Sequence, residues 1–270
     1  MLSVLDFLVH ENLVIIGFAV IVPLVFILRR SIRSHAVLYY LGITVITFIV
    51  SGLWIHWALT DSYPVDEWWW PFMSQMKRGS VGFVFFTIVM FQGVIKPWNK
   101  ATRELYAIRG ELSIFACITS FCHLLLYGLS WLIDHGEAEV PYDILFWTSL
   151  LLLIVGLPLF ITSFKKIRFS MKAANWQKLH KASYFFYFLL YANVIFVFIR
   201  RFLVFSDRLH EPENLPWLID TYVSLAIYTA LFVTYTVLRI RTDRNKRERA
   251  RVRELKRKAH EEGRSLESID

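Results

Sequence analysis

Two cysteines in 270 residues carry little chemistry: Cys117 and Cys122 lie five apart on one apolar stretch and match no CxxC metal or redox pattern. Packing in an apolar environment is the reading for both. The chain also lacks any G-x-G-x-x-G sequence, so no dinucleotide-binding turn is present. No internal repeat, Gly/Ser linker or low-complexity tract divides the apolar part, which therefore reads as one domain. Acidic residues are nearly missing from the apolar stretches, Asp220 being the exception, and this weakens a transport reading that needs an acidic substrate pathway.

What is present is hydrophobic. The chain is 56% apolar and 17% aromatic, with a mean hydropathy of +0.46, above the roughly 45–50% apolar content of ordinary soluble domains. Seven stretches reach membrane-spanning length, near 12–28, 36–59, 80–97, 112–133, 144–163, 181–199 and 217–238. The fold class predicted is an all-α polytopic membrane bundle of about seven transmembrane helices, over 1–238, followed by a basic cytoplasmic helical tail over 239–270. Asp6, His10 and Glu11 stand before the first stretch in place of a basic region, and no small-residue cleavage site follows, so it is expected to be a span and not a signal peptide. Pro23 and Pro158 fall inside spans, where kinks are tolerated.

Lys and Arg gather after the first, third, fifth and seventh stretches, at Arg29, Arg30 and Arg33, at Lys96 to Arg109, at Lys165 to Lys178, and in the tail. The positive-inside rule then places the N-terminus outside and the C-terminus in the cytoplasm of a cell membrane. Lys77, Arg78, Arg200, Arg201 and Arg208 are exceptions on the other side. Trp54, Trp57, Trp68, Trp69 and Trp70 suit an interfacial belt there. The tail supplies most of the net +8, its 12 Lys/Arg against 7 Asp/Glu leaving +5 from Arg239 to Asp270. It mixes both signs at helical spacing directly after a span. Lipid headgroups or an acidic partner, and no nucleic acid, are its expected contacts.

Of the eight histidines, His10, His135, His210 and His260 fall in loops or tails. His35 opens the second span, and His56 closes it between Trp54 and Trp57. His123 lies eleven residues past Leu112, deep in an apolar stretch, where an unsatisfied imidazole costs several kcal/mol. It must bond a neighbouring helix, water or a metal. His180 sits at the mouth of the sixth stretch.

The order of motifs from Phe85 to His180 resembles the ferric-reductase-like transmembrane domain family, most closely its MsrQ-type haem-binding membrane subunits. A span ends in Gly93-Val94-Ile95-Lys96-Pro97; Arg109-Gly110-Glu111-Leu112 opens the next and leads to His123; Thr162-Ser163, a basic loop, Trp176, Leu179-His180 and Tyr184 follow. The resembling core covers about 80–200. The resemblance implies b-type haem, one or two, held between the fourth and sixth spans, with His123 and His180 as metal ligands and electrons crossing the membrane. It further implies a basic or histidine residue fourteen before the first histidine and a second histidine thirteen after the LH. These positions hold Arg109 and Asn193.

Fourteen helical residues separate two depths by about 21 Å, and the two spans run in the same direction in a seven-span topology. His123 is then level with Asn193, and His180 with Arg109, so the two histidines are not expected to ligate one haem. Asn193 is a poor iron ligand, expected to bond water or His123; Arg109 offers no lone pair but suits haem propionates. Three pictures follow: a high-spin haem on His123 alone, an inner haem on His180 with His35 as possible second ligand, or a core without haem. The electron source would be separate, because the tail is too short for a flavin or nicotinamide domain of on the order of 100 residues. A cytoplasmic flavin reductase or a quinone is the expected donor and an outer-face redox protein the acceptor. No catalysis beyond electron transfer is expected on this chain. The alternative is a haem-free membrane scaffold or transport subunit with the same fold.

Overall fold

The computed structural model describes residues 13–64, 67–133, 140–205 and 215–261. His10, His135, His210 and Arg208, together with the last nine residues, lie outside them, as do the side chains of Asp220 and His260. Eleven helices are described: α1 (Leu13–Ser34), α2 (Ala36–Thr60), α3 (Trp70–Lys77), α4 (Ser80–Gln92), α5 (Lys100–Ala107), α6 (Arg109–Ile133), α7 (Val140–Ile161), α8 (Lys165–Ser170), α9 (Ala173–His180), α10 (Ala182–Phe205) and α11 (Leu215–Glu261). The chain is a polytopic helical membrane protein. Its helices turn large apolar side chains outward, among them Val37, Leu41, Phe48, Ile154, Leu157 and Phe188, as a lipid-facing surface requires.

Among the described residues, six helices are long and apolar enough to cross a membrane. The predicted stretch 80–97 forms α4, which has only thirteen residues and gives way at Gly93 to a turn. At 1.5 Å per residue α4 covers about 20 Å, short of the roughly 30 Å of bilayer hydrocarbon. Nine of its thirteen residues are buried. It is therefore a central core helix, with α1 and α6 packed on it and aromatic side chains of α10 and α11 closing its other side.

The α4–α6 contact is close because its residues are small. A Cβ at Gly82 would fall on Ser120 Oγ and meet the Ala116 carbonyl. In lipid, where burying apolar surface gains little, such close backbone packing holds helices together. Phe85 meets Phe115 edge-on at 5.7 Å, and Tyr40 of α2 reaches the same ring at 5.8 Å. α10 packs on α7 and α11.

The two ends of the bundle differ in chemistry. At the basic end α5 starts with a capping box, in which Asn99 and Thr102 satisfy each other's backbone N–H groups. Glu104 then bonds Arg29 at 2.9 Å and Arg30 at 3.0 Å. Buried Glu111 forms an ion pair with Lys165 at 2.7 Å. α11 continues past this end as one unbroken helix of 47 residues, about 70 Å long. Thr242 anchors it there to the Val94 carbonyl, and the Arg239 guanidinium lies 4.2 Å from the Tyr184 ring centroid. At the opposite end Trp54, Trp57, Trp69 and Trp70 pack together, Trp54 and Trp70 at 4.8 Å and Trp57 stacked on Trp69 at 5.7 Å. This is the tryptophan end.

Candidate functional site

A break between α3 and α4 positions the first histidine. Gly79 adopts φ +76, a left-handed conformation that L-residues avoid, and the turn presents the Lys77 carbonyl to α6. His123 Nδ1 lies 2.8 Å from that oxygen. A carbonyl can only accept, so Nδ1 carries the proton and donates, and the lone pair belongs to Nε2. Metal-bound histidines usually have this arrangement, one ring nitrogen donating to a fixed acceptor while the other is a base. Tyr127 packs on the ring at 4.8 Å, and a Cβ at Gly79 would lie 3.0 Å from His123 Cγ.

Arg109 has the equivalent neighbour one helix-length away. A Cβ at Gly93 would approach its Nη2 to 3.2 Å. Gly79 and Gly93 are fourteen residues apart, as are Arg109 and His123, so antiparallel α4 places a glycine against each. The sequence shows this signal as a matching interval, which only the helix pairing makes meaningful.

His180 belongs to the basic end. Its Nε2 lies 3.0 Å from Thr162 Oγ1, and that hydroxyl sits 2.7 Å from the Pro158 carbonyl. With its single proton donated to Pro158, the hydroxyl accepts from Nε2–H, which leaves the imidazole lone pair on Nδ1. Trp176 stacks on the ring at 4.1 Å and donates Nε1–H to the Thr162 carbonyl at 3.0 Å. Thr162 thus holds both motif residues of α9. Arg109 and Arg168 act electrostatically on His180, so Arg109 and His180 share one end of the bundle. His123 and His180 do not approach each other: Ser113, ten residues before His123 on α6, lies 3.4 Å from Ser163 beside the His180 site, and ten helical residues rise about 15 Å.

Asn193 corrects one expectation. Its amide donates to Thr148 Oγ1 at 2.8 Å and Ser149 Oγ at 3.1 Å, with the Leu145 carbonyl at 3.5 Å. α7 satisfies it, not His123. His35 caps the α1–α2 turn, exposed, with Nδ1 2.9 Å from Ser34 Oγ, and no contact joins it to His180 among the described residues. His56 is exposed between the buried Trp54 and Trp57. Among the described residues no three His, Cys, Asp or Glu side chains form a metal-binding group.

The donor set suits a porphyrin-held iron, which needs one or two axial imidazoles from the protein and no cluster. His123 supplies a half-buried, oriented imidazole with a basic Nε2, and Arg109 a cation for a carboxylate.

The profile of the family described as "Ferric reductase like transmembrane component" matches residues 78–191. The match takes in Arg109, His123 and His180 and ends two residues before Asn193. A protein of Treponema pallidum (strain Nichols), described only as uncharacterized, is 26% identical over 231 residues, which cover 84% of this chain and 59% of that protein. No solved structure matches. From the break before α4 to the middle of α10, the chain is thus similar to the ferric-reductase-like transmembrane component.

Proposed function

We propose that this chain is a b-type haem electron carrier of the cell membrane, its N-terminus outside and its C-terminus in the cytoplasm. It passes electrons from a cytoplasmic flavin reductase or quinone to a redox protein on the outer face. The observation that carries this reading is the 2.8 Å contact of His123 Nδ1 with the Lys77 carbonyl. It fixes the tautomer whose Nε2 keeps the lone pair that an iron ligand needs. Haem, when bound, supplies one-electron chemistry that no side chain here provides. The chain's own contribution is local. His123 is oriented by Lys77 and Tyr127, the buried faces of α4 and α6 exclude water, and Arg109 holds a positive charge at the basic end, where propionates of a second haem on His180 would be received. Asn193, committed to α7, leaves a haem on His123 with one strong protein ligand. The basic stretch of α11 faces the donor side.

A haem-free scaffold or transport subunit is the second reading, favoured by the same Asn193 and by the Thr162 hydroxyl that engages His180. Optical spectra of purified protein, expressed with haem supplied and read oxidised and dithionite-reduced, separate the two. A Soret band that His123→Ala removes supports the carrier. Well-folded protein without bound haem selects the scaffold, and a band lost only in His180→Ala moves the site to the basic end.

A further inference from the structure

Two cations stand where the positive-inside rule disfavours them. Lys77 and Arg78 lie at the tryptophan end, at the break that orients His123. At the basic end the comparable side chains have counter-ions: Arg29 and Arg30 share Glu104, Lys165 meets Glu111, and Arg239 meets Asp243. Neither Lys77 nor Arg78 makes an ion pair among the described residues. The Lys77 ammonium rests instead 4.2 Å from the Trp54 ring centroid. A half-buried cation without a counter-ion is costly, and an incoming anion relieves that cost.

Place and number both indicate which anion. The residue whose carbonyl receives His123 Nδ1–H is Lys77 itself, so the backbone that carries both cations is held against the ring. Haem b carries two carboxylates on one edge, and two adjacent cations match them, the guanidinium by a bidentate fork and the ammonium as a point charge.

We propose that Lys77 and Arg78 form the carboxylate-binding pair that receives the propionates of a haem on His123 and turns that edge toward the tryptophan end. The proposal rests on the haem reading above. It makes this pair specificity determinants for a free-acid porphyrin, and it gives Lys77 two roles, through its carbonyl to the histidine and through its ammonium to the cofactor.

The test titrates full-length apo-protein in detergent with haem b and with haem b dimethyl ester, whose carboxylates are blocked, following the Soret band and subtracting the signal of His123→Ala. Wild type should favour the free acid at least about tenfold, since charge-assisted hydrogen bonds contribute more than neutral ones. Lys77→Met with Arg78→Gln should bind both forms equally, at the wild-type affinity for the ester; methionine keeps an apolar stem on Trp54, so folding is preserved. Lys77→Arg should keep the discrimination. Equal binding of both forms by wild type, or discrimination surviving in the double variant, overturns the propionate pair and leaves the haem reading intact. If wild type binds neither form, both fall.

Discussion

The two ends of this bundle each offer a histidine, and they hold it in opposite ways. At the tryptophan end His123 emerges from the middle of a long helix, donates from Nδ1 to a backbone carbonyl and has a glycine against its ring. At the basic end His180 closes a short helix, donates from Nε2 to a hydroxyl and stacks on an indole within reach of two guanidinium charges. A backbone carbonyl cannot rotate away, whereas a threonine hydroxyl can. The first arrangement holds its imidazole fixed, and the second leaves it adjustable.

Substitution of His123 should break the comparison most completely. His123→Ala is expected to abolish the haem Soret band, while His180→Ala leaves a band of changed intensity; equal loss in both variants would erase the distinction. Gly79→Ala comes next, because it imposes left-handed strain and drives a methyl into the His123 ring. It should lower stability by about 2 kcal/mol or more, read from unfolding in detergent. The same change at Gly93, which has no positive φ and faces the movable tip of Arg109, should cost clearly less. At the adjustable end Thr162→Val removes two hydrogen bonds, to the Pro158 carbonyl and from His180 Nε2–H, and should cost about 1–3 kcal/mol, with the His180 ring NMR signals broadened as its orientation is released.

The smallest effect is electrostatic. The hydrogen bond from Arg30, aided by Arg29, holds the Glu104 carboxyl below its ordinary range, against the opposing effect of desolvation. A group with a depressed folded value stabilises the protein above its unfolded pKa, and that contribution disappears as pH falls through the folded value. Wild type should therefore lose thermal stability more steeply than Glu104→Gln on acidification below about pH 4.5, and parallel curves would show the pair to be energetically silent.

The membrane class and the helices were legible because lipid demands long apolar runs, and the order of Pro97, Arg109, His123, Thr162, Trp176 and His180 pointed to the family. What hydropathy could not read was α4. Ser80 to Pro97 runs between the two ends of the bundle as a span would, yet apolarity is the same whether the neighbour is lipid or another helix, so its burial carries no sequence signal. Asn193 was legible as a departure but not as to its partner, since Thr148 and Ser149 sit some 45 residues earlier and only α7–α10 packing brings them to it. Lys77 stood out as a charge on the wrong side, and its carbonyl carries no sequence signal at all.

The shortness of α4 bears on how the protein is made. A thirteen-residue segment is a poor candidate for independent release into a bilayer about 30 Å thick. During biogenesis it has to wait beside α1 until α6 emerges and closes against its glycines. The histidine on α6 and the backbone turn that orients it therefore meet in the same assembly step, so insertion of the helical hairpin and formation of the His123–Lys77 contact are one event.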